Sequence, residues 1–174
     1  MTKKEINVLD YSNEINKALN NGYLLTTKGD NVNTMIIGWG TVGIIWREPI
    51  FIAYVRESRY TREILDKTNE FTVNIPINGY DSKIFEVCGS QSGRDIDKIK
   101  ECDLTLIDPE IINTPAIKEL PLTLECKVVY KQKWTDENMD EEILNTFFPD
   151  DGTGFRDFHI AYYGKIESAY IIEE

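Results

Sequence analysis

The chain has 174 residues, 41% hydrophobic and 28% charged, with a formal net charge of −11 at pH 7. This length and composition predict a single domain over 1–174 with a sizeable core, and exclude a disordered chain. So acidic a surface repels phosphate backbones, so no nucleic-acid partner is expected and any anionic ligand needs a local cationic site.

The opening MTKKEINVLDYSN has no apolar run behind its lysines and so does not read as a signal peptide. SNEINKALNNG reads as a short helix with Ser12 as N-cap and Gly22 as its stop. Strand signals follow in YLLTTKG, TMIIGWG, GIIW, IFIAYVR and FTVNIP. The most apolar stretch, MIIGWGTVGIIW, is too short and too glycine-broken to span a bilayer, so no membrane association is expected. SRYTREILDK, DSKIFEVCG, RDIDKIKEC and DEEILNTFF fit short helices.

LTLECKVVYKQKW alternates, with Leu122, Leu124, Cys126, Val128 and Tyr130 on an apolar face and Thr123, Glu125, Lys127 and Lys131 on the other. In FHIAYYGKIESAYII, Phe158, Ile160, Tyr162 and Ile166 share the apolar face, and His159, Ala161, Tyr163, Lys165 and Glu167 the mixed one. Consecutive strands without βαβ alternation predict a mainly β, closed or partly closed antiparallel barrel with short peripheral helices. Cys88, Cys102 and Cys126 are odd in number and form no CxxC pair. They read as small core hydrophobes in a reducing cytoplasm.

Several chemistries lack their motifs. There is no GxGxxG and no GxxxxGK[ST], so Rossmann and Walker sites are not supported. One histidine and no paired cysteines leave no metal site expected. A Ser-His-Asp triad could use only His159, and no GxSxG elbow accompanies it.

What stands out is YVRESRYTREILDK. Three of the six arginines, Arg56, Arg59 and Arg62, fall within seven residues, interleaved with Ser58, Tyr60 and Thr61. A phosphate monoester is met by bidentate arginine, hydroxyls and free N–H groups at a helix start, and this stretch offers all of them where a strand turns into a helix. The plain alternative is a solvated helix with weak surface pairs. A second anion-friendly loop is CGSQSGRDIDK, where Ser90, Ser92, Gly93 and Arg94 are followed by Lys98. Read alone, it is a Gly–Ser turn capping the next helix. In NTMIIGWG, Gly38 and Gly40 within a strand suggest a bulge or a close backbone approach to a planar ligand; a core strand with a buried Trp39 is the alternative.

In order and spacing, NTMIIGWGTVGIIWREP, YVRESRYT, FTVNIP, CGSQSGRDIDK and FHIAYYGKI resemble the flavin reductase-like family, the FMN-binding split-barrel proteins that include flavoredoxins. The resemblance implies a homodimeric, Greek-key-like split β-barrel with FMN near the subunit interface. It implies that Asn33, Thr34, Met35 and Ile36 run along the isoalloxazine. Arg56, Ser58, Arg59, Tyr60 and Thr61 would surround the phosphate, with Ser90, Ser92, Gly93 and Arg94 as a second contacting loop. His159 matches a histidine near the flavin and is the one candidate catalytic residue. Ile36 stands where relatives often carry threonine, Arg47–Glu48 replaces a Gly–Lys-like pair, and Lys165 stands where glutamate is common.

The function this implies is NAD(P)H-dependent reduction of a flavin at N5, with NADH or NADPH as reductant. The alternatives are a flavoredoxin-type electron-transfer protein, whose acidic surface suits a basic redox-protein partner, and a non-enzymatic ligand-binding barrel.

Overall fold

The computed structural model describes residues 1–77, 79 and 81–173. Among the described residues there are ten strands: β1 (Thr2–Glu5), β2 (Tyr23–Lys28), β3 (Val32–Ile37), β4 (Gly40–Ile45), β5 (Glu48–Arg56), β6 (Glu70–Ile75), β7 (Leu106–Ile107), β8 (Ala116–Ile117), β9 (Leu122–Lys133) and β10 (His159–Glu173). Five α-helices accompany them: α1 (Ser12–Ala18), α2 (Tyr60–Thr68), α3 (Ser82–Ser90), α4 (Lys98–Glu101) and α5 (Glu141–Phe147).

The main sheet runs β3-β2-β6-β9-β10-β5-β4, with every pair antiparallel, and β1 adds to the far end of β10. The fold is therefore mainly β and split-barrel-like. The sheet path stays open between β3 and β4, so the expected barrel is not a closed one. β10 ties the sheet together because β9 pairs along one edge while β5 and then β1 share the other. The interior is filled by apolar side chains including Tyr23, Leu25, Phe51, Phe71, Val73, Leu124, Cys126 and Tyr162. A second cluster lies under α3 and α4 and contains Leu24, Ile84, Cys88, Cys102 and Leu120. All three cysteines are free and buried, as expected, and burial pushes the Cys88 thiol up to about 12.

Two bulges alter the alternation read from sequence. Val129 is skipped between the pairs Tyr163↔Tyr130 and Gly164↔Val128. Beyond it Tyr130 leaves the core and is 47% exposed, instead of sharing the apolar face with Val128. Glu167 is skipped likewise, so the core row on β10 passes from Tyr162 and Ile166 to Ala169. Gly164 sits at the first bulge because a Cβ there would meet the Phe71 ring at 2.5 Å.

Other differences are local. Ser12 is the first residue of α1 rather than its cap: Tyr11 holds the cap position, and the Ser12 hydroxyl donates to the Leu9 carbonyl. The helix expected over RDIDKIKEC shrinks to α4, because the Asp97 side chain caps it by accepting from the Lys100 N–H. Glu125, expected on the polar face of β9, is fully buried. Its carboxylate accepts from the backbone N–H groups of Glu110, Ile111 and Ile112 and from the Tyr170 hydroxyl, which satisfies its acceptor sites.

Candidate functional site

The strand-to-helix turn expected in YVRESRYT is present. β5 ends at Arg56, and Arg59 occupies the cap position of α2 in an extended conformation without any side-chain capping bond. The first amides of α2 are thus left for another acceptor. The arginines there divide by commitment. Arg56 donates to the carbonyls of Asp157 and Phe147 and lies over the Phe148 ring. Arg62 donates to the Glu57 carbonyl and pairs with Asp66. Arg94 donates to Glu63 and to the Ser58 carbonyl. Among the described residues no hydrogen bond or ion pair engages the Arg59 side chain, so one guanidinium remains to meet an anion.

Two cavities adjoin this point. The smaller, about 130 Å³, is lined by Asn33, Ser58, Arg59, Tyr60 and Thr61, by the loop from Cys88 to Arg94, and by Lys98. The larger, about 260 Å³, is lined by Ile37, Gly38, Trp39, Tyr54, Arg56 and His159. They share Met35, Ile36 and Arg59. The structure therefore brings most of the expected residues together from β3, α2 and the α3–α4 connection. Three are set apart: Arg56 and His159 line only the larger cavity, and Thr34 lines neither. Thr34 points into the sheet, where its hydroxyl meets Thr26 and the Leu25 carbonyl.

Local packing explains the residue choices. The Asn33 amide donates to the Thr61 hydroxyl, which ties β3 to α2. A Cβ on Gly93 would lie 1.9 Å from Asn33 Oδ1, so only glycine lets this backbone pass so close to Asn33. Ser92 accepts from the Arg94 N–H, and Ser90 donates back to the Glu86 carbonyl. Ser58 offers its N–H and hydroxyl to the two carboxylate oxygens of Asp157. Of the two glycines expected beside a ligand, Gly38 lines the larger cavity. Gly40 answers instead to packing, since a Cβ there would meet the Phe51 ring at 2.8 Å.

Lys98 was not assigned from sequence. It is 5% exposed, and its Nζ donates to the Cys88 carbonyl at 3.0 Å inside the smaller cavity. Burial above all, with Arg59 adding, pulls its pKa below the ordinary lysine value. A buried ammonium without a carboxylate costs free energy that an anion in the cavity would offset. Its place four residues beyond Arg94, in a loop already rich in donors, was the signal available.

His159, on the mixed face of β10, is buried at 7% exposure. It packs on Trp39 at 4.5 Å between ring centroids, with Trp134 and Phe148 also in contact. Its Nδ1 is buried and, among the described residues, has no hydrogen-bond partner. Burial, then the Arg56 charge, lowers its pKa to about 4, which keeps the imidazole neutral at physiological pH. Among the described residues no group of His, Cys, Asp and Glu side chains could hold a metal ion, and no helix is long and apolar enough to cross a membrane.

Comparison with known proteins gives the family and the fold. An uncharacterised protein of Archaeoglobus fulgidus is 25% identical over 139 residues, covering 80% of this chain and 75% of its own length. The flavoredoxin of Methanosarcina acetivorans superposes with a TM-score of 0.65 at 25% identity, covering 87% of this chain and 68% of that one. Nitrilotriacetate monooxygenase component B from Bacillus cereus superposes with a TM-score of 0.66 at 16% identity, covering 99% of this chain and 83% of that one. Residues 19–174 match the flavin reductase like domain, and the chain belongs to that family.

Proposed function

We propose that the chain, acting as one domain over 1–174, binds FMN across the two cavities and serves as a flavin-dependent oxidoreductase. The observation that carries this is their meeting at Arg59: a small cationic, donor-lined cavity shares Met35, Ile36 and Arg59 with a larger one walled by Trp39, Tyr54 and His159. A phosphate fits the first in charge and donor chemistry, and a planar ring system fits the second. Arg59, Lys98, Thr61, Ser90 and Ser92, with the first amides of α2, would hold the phosphate. Met35, Ile36 and the Gly38 backbone would lie along the ring.

When bound, the flavin supplies hydride acceptance at N5 and onward electron transfer. We assign the donor as NADH or NADPH. Trp39, Tyr54 and Phe148 exclude water from the ring site, and the neutral His159 positions the nicotinamide or gates its approach. His159→Ala should therefore leave FMN affinity nearly unchanged while slowing reduction by the nicotinamide.

A second reading is favoured by the likeness to the Methanosarcina flavoredoxin: FMN stays bound and a redox protein replaces the nicotinamide. In either case we propose a cytoplasmic homodimer. The test is the visible spectrum of protein mixed with FMN, before and after NADH or NADPH under anaerobic conditions. Uptake followed by bleaching supports the reductase, and uptake without bleaching supports the relay. Failure to take up FMN overturns both.

A further inference from the structure

The segment from Thr135 to Asp157, which separates β9 from β10, enters the site described above only through its contacts to Arg56 and Ser58 and the rings of Phe147 and Phe148 against Trp39 and His159. It carries eight carboxylates against the single Arg156, a net −7 of the chain's −11. Of the eight, only Asp157 engages another part of the fold through its side chain, at Ser58. Asp140, Asp150 and Asp151 bond only within the segment, to nearby N–H and hydroxyl groups. Among the described residues none of the eight forms an ion pair.

α5 lies within this segment and contains no buried residue at all. Ile143 is 46% exposed and Phe147 40%, so the helix turns apolar side chains toward solvent instead of toward the core. Its position is nevertheless fixed. Phe148, immediately after it, is 1% exposed and packs on Trp39, Trp134 and Phe158, while the Phe147 carbonyl accepts from Arg56. A cleft of about 400 Å³ runs beside the helix and is lined by Trp134, Met139 and Ile143 among others. Trp134 stacks on Trp39 at 6.3 Å, and Trp39 walls the larger cavity. Phe147 also meets Trp39, edge-on at 5.4 Å. The exposed face is thus joined to the interior cavity by direct ring contacts.

We propose that this face, with Trp134, Met139, Ile143 and Phe147 at its centre and carboxylates around it, docks a protein that presents a basic rim around an apolar patch. That is the surface chemistry of a small electron-carrier protein, and opposite charges would steer it into place. The inference rests on the flavin reading for its purpose but not for its geometry. A second copy of the chain is a poorer occupant for a two-fold contact centred on this face, which would set one net −7 segment against another.

The test uses flavin-free protein and a basic c-type cytochrome as probe, at low salt, with backbone amide shifts and titration calorimetry as readouts. Shifts should concentrate in residues 134–157, and affinity should fall as salt rises. Glu137→Gln/Glu141→Gln/Glu142→Gln should weaken docking about tenfold, and Ile143→Asn/Phe147→Ser by a comparable factor. A control of equal charge at the far end of β10, Glu5→Gln/Asp108→Asn/Glu173→Gln, should change it less than twofold. No docking at low salt overturns the proposal, as do shifts elsewhere or equal weakening by the control. So does light scattering in which Ile143→Asn/Phe147→Ser converts a dimer to a monomer, since the face would then belong to a second copy. FMN uptake is scored separately by absorbance, so docking without uptake would sink the flavin reading and leave this one standing.

Discussion

The two adjoining cavities solve different physical problems with the same sheet edge. The smaller gathers positive charge and donors, Arg59 and Lys98 foremost, and leaves them uncommitted by carboxylates. The larger is built from aromatic rings, and its nearby guanidinium, Arg56, is spent on the carbonyls of Phe147 and Asp157. Arginines three residues apart therefore do opposite work: Arg56 braces a wall and Arg59 waits for a ligand. Counting charges along the sequence does not separate these roles; only the partners of each side chain do.

The sharpest way to break this contrast is to empty the smaller cavity of charge. Arg59→Ala/Lys98→Met should weaken FMN at least about a hundredfold, since a charge-assisted hydrogen bond contributes roughly 1.5–3 kcal/mol. Riboflavin, which lacks the phosphate, should bind the variant and the wild type alike by fluorescence quenching. Equal losses for both flavins would show that the two cavities do not divide the ligand as proposed.

The larger cavity is probed by pH. His159 titrates at about 4 in the folded protein against 6.5 for the free group, so the unfolded chain takes up its proton first as pH falls. The stability that neutral His159 contributes is complete above the unfolded value and is lost as pH falls toward 4. The loss reaches up to about 3 kcal/mol. Denaturant unfolding of His159→Gln should lack this step, so its stability relative to wild type should improve from pH 7 to pH 5. A constant difference between the two proteins would remove the buried neutral imidazole from the account.

Gly93→Ala should cost about 1–3 kcal/mol by overpacking and, by displacing Asn33 from Thr61, weaken FMN several-fold. An unchanged thermal midpoint would mean that the α3–α4 loop yields freely. Arg62→Ala is the smallest effect, below about 1 kcal/mol, because its pair with Asp66 is partly solvated. FMN binding should not notice it, which would confine the cluster's ligand chemistry to Arg59.

The sequence by itself determined the strands, their mainly antiparallel arrangement and the turn from β5 into α2, while the meeting of Asn33, RESRYT and GSQSGR near one site was implied by the family resemblance. These signals are local: alternation, glycine and serine at turns, and an arginine run legible residue by residue. Tertiary structure alone decided which donors were free. Arg59 was separated from Arg56 and Arg94 by the partners those two find far along the chain, Asp157 and Glu63. It also decided where alternation fails, because the bulges at Val129 and Glu167 arise between strands and not within them. His159 is the clearest case. Its neighbours on β10 read as a mixed face, which leaves burial open, and Trp39, Trp134 and Phe148 arrive from three other segments and bury it. Burial is a property of what packs against a residue, and a strand's own period cannot encode that.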